Sequence, residues 1–175
     1  MRIPAIDPLI VLTVLIAAVT DFRRQKIYNW LTLPAILAGL VVNTVLHGWS
    51  GLGTGLLGFG LAFFLSFGLY SLKGIKGGDV KLIAAIGAMG GWKFALAAML
   101  YTGIAGGVLS LAWAAHHGTF RKTVDRFGQM LRALFIPGIT LERPLSDSDS
   151  PPLPYGLAIA TGTLLRVAFP DWLPL

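Results

Sequence analysis

Apolar residues run through this chain in long blocks separated by short polar clusters, and the block lengths predict membrane-spanning helices. Such a helix needs about 17–25 mostly apolar residues. The first block runs from Pro4 to Thr20. The bases Arg23, Arg24 and Lys26 follow it, whereas a cleaved signal sequence carries its bases in front, so it reads as an anchor. The second runs from Leu31 to Leu46, with Pro34 in its first turn, where proline is tolerated. The third runs from Leu52 to Leu72 and carries Gly58, Ala62 and Ser66, a small-residue stripe suited to close helix packing. From Leu82 to Ala115 the chain is apolar except near Gly90, Gly91, Trp92 and Lys93. One helix of that length would be about 50 Å long, against a hydrocarbon core of about 30 Å. The stretch therefore divides into a short span, Val80 to Met89, and a longer one, Phe94 to Ala115. The short span is expected to have its outer end buried in protein. A sixth block runs from Leu153 to Phe169.

Composition agrees with the pattern. Hydrophobic residues make up 55% of the chain and charged residues 13%, with a mean hydropathy of +0.73. Soluble domains carry about 25% charged residues, so a soluble globular domain and a disordered chain are both excluded. The expected fold is all-α: one polytopic, membrane-embedded domain over residues 1–175 with about six transmembrane helices. The absence of cysteine excludes disulfides, thiolate metal sites and cysteine nucleophiles. Of the three histidines, His116 and His117 are adjacent and diverge on a helix, so no metal site is expected.

Basic residues outnumber acidic ones 14 to 8. Six spans put both termini on one side. All but Arg2, Lys93 and Arg166 of the bases then fall on the other side, which the positive-inside rule makes cytoplasmic. The termini are expected outside, with Phe22–Trp30, Lys73–Gly78 and His116–Pro151 facing the cytoplasm. Within the last of these, Phe120, Val124, Phe127, Leu131, Leu134 and Phe135 recur at three and four residues among bases. That predicts one amphipathic helix over about 120–135, lying on anionic membrane lipid or on the bundle. The basic excess thus reads as topology, and no nucleic-acid partner is expected. Nothing in the pattern sets an oligomeric state.

Six of the eight acids have ordinary places: Asp7 and Asp171 at outer ends, Asp125 on the amphipathic helix, and Glu142, Asp147 and Asp149 in a polar loop. Asp21 and Asp79 remain, each at the cytoplasmic end of an apolar helix. An ionisable group there is a functional candidate by default. Asp21 has a structural alternative, pairing with Arg23 or Arg24. Asp79 has another, capping a helix N-terminus. The preceding Gly77 and Gly78 allow positive φ and close backbone approach. Two carboxylates brought together cannot both ionise, so one keeps a proton. Such a pair activates water with one member and polarises a peptide carbonyl with the other. The helix ends favour Asp79 as the anion and Asp21 as the acid.

The residues around both aspartates carry a resemblance. Asp21-Phe-Arg-Arg-Gln-Lys-Ile27-Tyr28-Asn29-Trp-Leu31-Thr32 resembles the first aspartate motif of the type IV prepilin peptidases. Gly77-Gly78-Asp79-Val80-Lys81-Leu82, followed by Ala84, Ala85 and Gly87, resembles their second. Pro154-Tyr155-Gly156-Leu-Ala158-Ile159-Ala160 is similar to the motif opening their last helix. The likeness covers about residues 8–169. It departs at Lys76, where the family pattern has glycine, and at Tyr28, where proline is frequent.

The resemblance implies an aspartic endopeptidase of the bacterial inner membrane, multi-pass, with its site at the cytoplasmic face. Its substrate would be a prepilin or pseudopilin, from which it removes a short basic leader. No cofactor is implied. Asn29, Gly77, Gly78, Lys81, Tyr155 and Gly156 would bind substrate or support the aspartates. Beginning at the first helix and lacking cysteine, the chain looks like the short form, similar to the tight-adherence (Flp) pilus peptidases, without N-methyltransferase activity. The alternatives are a proton-coupled transporter and a non-catalytic subunit of a pilus or secretion assembly.

Overall fold

The computed structural model describes residues 6–72, 74–116, 128 and 155–169. Its helices are α1 (Asp7–Arg24), α2 (Asn29–Ser71), α3 (Gly77–His116) and α4 (Tyr155–Ala168). Apart from Gly128, the amphipathic helix expected at about 120–135 lies outside the described residues.

The inward face of α1 carries Ile10, Thr13, Val14, Ala17, Ala18 and Asp21, three and four residues apart. The helix extends one turn past the apolar block that ends at Thr20. Arg23 and Arg24 occupy that turn, where positive charge complements the helix C-terminus. Gln25 then closes the helix in the left-handed conformation, its N–H donating to the Asp21 carbonyl at 2.7 Å.

The six apolar blocks are not six separate helices. Both α2 and α3 run through two blocks, and each is broken at one glycine. Gly48 has φ 60° and ψ −144°, and Gly91 has φ 77° and ψ 176°. Residues with a Cβ rarely adopt such a backbone. Each break reverses the chain. In a straight helix Gly55 would stand about 18 Å from Asn43, yet a Cβ on Gly55 would lie 3.7 Å from Asn43 Nδ2. Similarly, Gly106 would stand about 40 Å from Asp79 on a straight α3. Instead it packs on Tyr155, whose neighbour Gly156 bonds Asp21 at the same end of the molecule as Asp79. The second reversal falls within the polar interruption at Gly90–Lys93, where the run became too long for one membrane crossing.

The first half of α3 is the centre of the bundle, with residues 82–89 all buried. Gly58, Ala62 and Ser66 of α2 are buried as a stripe. Gly58 and Gly87 approach so closely that a Cβ on either would collide with the other's carbonyl oxygen. The reversal at Gly91 leaves carbonyls of the preceding turn without helical donors. Asn43 supplies one. Its Nδ2 donates to Ala88 O at 3.0 Å, to Met89 O at 2.9 Å and to Gly39 O at 2.9 Å. The end of the Val80–Met89 segment is therefore held inside protein. Helix α4 packs on α3 and α1, while α1 touches α2 and α3 only sparsely. Among the described residues two helices, α2 and α3, are long and apolar enough to cross a membrane, and α4 is a shorter apolar helix.

Candidate active site

The ends of all four helices that hold the motif residues meet at one pole. A cavity of about 580 Å³ opens there, lined by Asp21 from α1, by the connector after it, by Asn29 and Trp30 opening α2, and by Lys76, Gly78, Asp79 and Lys81 around the start of α3. Asp21 and Asp79 are each only 2% exposed.

Asp79 is not the cap of α3 but the third residue of its first turn. Lys76 precedes the helix, and its carbonyl accepts from the N–H groups of Asp79 at 3.0 Å and Val80 at 3.3 Å. The Asp79 carboxylate reaches back and accepts the Lys76 N–H at Oδ2, 2.8 Å. That is the return half of a capping box. It fixes the carboxylate at a helix N-terminus, where negative charge is favoured.

Asp21 is held across 135 residues of sequence. Its Oδ2 accepts the Gly156 backbone N–H at 2.7 Å, inside the protein. Glycine is required at 156 for space: a Cβ would stand 2.8 Å from Asp21 Cβ and 2.9 Å from Oδ2. The bond also changes the charge argument. The C-terminal end of α1 disfavours an anion, but the N-terminal turn of α4 aims an N–H at the same carboxylate. Both aspartates thus sit at helix N-termini, one on its own helix and one on another. The α4 N–H offsets the α1 C-terminus that alone sets the helix-end argument against an anion at Asp21.

The remaining candidates divide. Asn29 and Lys81 line the cavity and join α2 to α3, Lys81 Nζ donating to Asn29 Oδ1 at 2.8 Å. Gly78 lines it too, but neither Gly77 nor Gly78 has positive φ. What approaches Gly78 is the protein itself: a Cβ there would lie 3.1 Å from Ile27 Cβ. Gly77 meets only ordinary contact with Tyr70. Tyr155 is outside the cavity lining and packs on Gly106. Pairing of Asp21 with Arg23 or Arg24 does not occur among the described contacts; Arg24 Nη1 donates instead to the Tyr28 hydroxyl at 3.4 Å. The pattern along the chain gives no site role to the cavity-lining connector residues Gln25, Ile27 and Tyr28 or to the buried amide of Asn43. A lone amide inside an apolar run was the available signal for Asn43. Among the described residues no group of His, Cys, Asp and Glu could hold a metal ion.

The family model described as the type IV leader peptidase family matches residues 9–111, which include both aspartates. The chain belongs to this family. A prepilin leader peptidase/N-methyltransferase of Legionella pneumophila is 32% identical over 118 residues, 63% of this chain and 41% of that protein. One of Escherichia coli K12 is 35% identical over 88 residues, 46% of this chain and 38% of that protein. A preflagellin peptidase of Methanocaldococcus jannaschii is 33% identical over 79 residues, 43% of this chain and 33% of that protein. The chain thus matches well under half the length of each of these relatives. No solved structure matches it.

Proposed function

We propose that this type IV leader peptidase family member is an integral-membrane aspartic endopeptidase that removes the short basic leader of prepilins or pseudopilins. The observation that carries the reading is the pair of buried carboxylates, from α1 and α3, opening onto one cavity and each held by a backbone N–H.

In this reading one carboxylate acts ionised and the other protonated. The ionised member takes a proton from water as its oxygen attacks the peptide carbonyl. The protonated member gives its proton to the carbonyl oxygen. The C–N bond then breaks: the leaving amine takes the proton that came from water, and the diol returns a hydroxyl proton to the other aspartate, leaving a carboxylic acid and a singly protonated pair. The backbone N–H on each carboxylate fixes its position and leaves it further acceptor capacity.

The membrane placement follows the same reading. Each reversed helix crosses twice, which with α1 and α4 makes six passes. The site lies at the cytoplasmic face of the bacterial inner membrane beside Arg23, Arg24 and Lys26, and the termini lie outside. The large apolar side chains pointing outward from α2, among them Leu37, Val41, Val45, Leu57 and Phe64, then face lipid rather than water. A proton-relay reading would want acids at midplane. Asp7, Asp21 and Asp79 are the acids among the described residues, and all three stand within the first or last turn of a helix. Peptidase action without methylation is part of the proposal.

Co-expression with a candidate prepilin tests the function. The pilin should shift to its processed size with the wild-type chain and stay full-length with Asp21→Asn or Asp79→Asn at equal protein levels. Mass spectrometry of the new N-terminus should find it unmethylated. A pilin processed equally by both variants would refute the site.

A further inference from the structure

The Lys81–Asn29 pair joins the second turn of α3 to the first residue of α2. Asn29 is the first residue of α2 but does not cap it: the capping position is Tyr28, and no side-chain cap bond is made there. Asparagine is among the best capping residues, yet here its carbonyl is committed to Lys81 Nζ at 2.8 Å. Both residues line the same cavity as Asp21 and Asp79.

The bond settles the orientation of the amide. An ammonium only donates, so it must face the Asn29 oxygen, and the NH₂ end with its two donors is turned away from Lys81. We infer that Lys81 is a positioning residue that holds the Asn29 NH₂ group ready to donate to a main-chain carbonyl of the extended peptide lying across Asp21 and Asp79. Asn29 is then a substrate-binding residue, and the pair reads backbone rather than side chain. An extended segment exposes carbonyls that have no partner of their own, and donors are what the pair offers. The assignment rests on the peptidase reading and adds to it the group that anchors the substrate chain.

The test uses the full chain, purified in detergent. Its substrate is a synthetic precursor with a short basic segment, one glycine and an apolar helix of about 20 residues. Asn29→Asp is the decisive variant. It keeps the acceptor for Lys81 and the link between α2 and α3, but loses both donors. KM should rise about tenfold, the loss of one hydrogen bond of about 1.4 kcal/mol, with kcat changed far less and the melting temperature held. Lys81→Met should raise KM in the same direction by less, and Lys81→Arg should restore most of it. Combining Lys81→Met with Asn29→Asp should add little to Asn29→Asp alone, since one residue acts through the other. A wild-type KM for Asn29→Asp, or independent additive effects of the two substitutions, would overturn the inference while leaving the peptidase intact. A wild-type protein that cleaves nothing overturns both.

Discussion

The two poles of the bundle treat buried polar groups in opposite ways. At the reversal of α3, Asn43 gives its NH₂ group to three carbonyls, and glycines close the remaining space. At the other pole, two carboxylates are just as deeply buried, but each is held by one backbone N–H and faces a cavity of about 580 Å³. The first pole uses its polar chemistry to hold the fold. The second holds its polar groups still and leaves their bonding incomplete. Burial alone therefore does not mark a functional site; burial with unused acceptor capacity beside open space does.

Substitutions should separate the poles, and the largest effects belong to the open one. Asp21→Asn or Asp79→Asn removes an acid–base partner worth about 10²–10⁴-fold in rate, read as initial rates of precursor cleavage. Melting temperature should change little, since asparagine keeps an oxygen for each backbone N–H. Gly156→Ala puts a Cβ 2.8 Å from that of Asp21. A displacement of about 1 Å can cost about 10²-fold, so cleavage should fall sharply while the expressed protein remains folded by circular dichroism.

The closed pole should lose stability instead. Asn43→Leu strands the Ala88 and Met89 carbonyls, at about 1–3 kcal/mol for a buried group left without its partner. Thermal unfolding should shift downward, with the rate per folded molecule close to wild type. Gly91→Ala should do the same to a comparable extent, because its φ of 77° and ψ of 176° cost a residue with a Cβ about 1–3 kcal/mol. If Asn43→Leu silenced cleavage without lowering the melting temperature, the division between the poles would fail.

Much of this arrangement is legible along the chain because it follows from length and local pattern. The apolar run beyond Leu82 is longer than one straight helix across a membrane needs, and the chain breaks at Gly91 within it. Asp21 and Asp79 stood out because acids are scarce and the others had ordinary places. The stripe of Gly58, Ala62 and Ser66 is buried as its spacing implied. What stayed hidden is what long-range packing decides. No local signal says that the N–H of Gly156 will meet a carboxylate 135 residues away, so α1 alone does not describe the field at Asp21. The reach of Asp79 back to Lys76 depends on which residue begins α3, a boundary that two consecutive glycines blur. Tyr155 and Gly156 are neighbours in one motif, yet one packs on Gly106 and the other holds Asp21, because successive helical residues face different partners.

The central claim is that Asp21 and Asp79 act on one bond as a unit. Initial cleavage rates of purified wild type, Asp21→Asn, Asp79→Asn and the double variant test it most directly. Groups that act together are strongly non-additive. The two single variants and the double should therefore fall to the same floor. A single variant that keeps substantial cleavage, or a double variant slower than the singles by the product of their effects, would contradict the dyad.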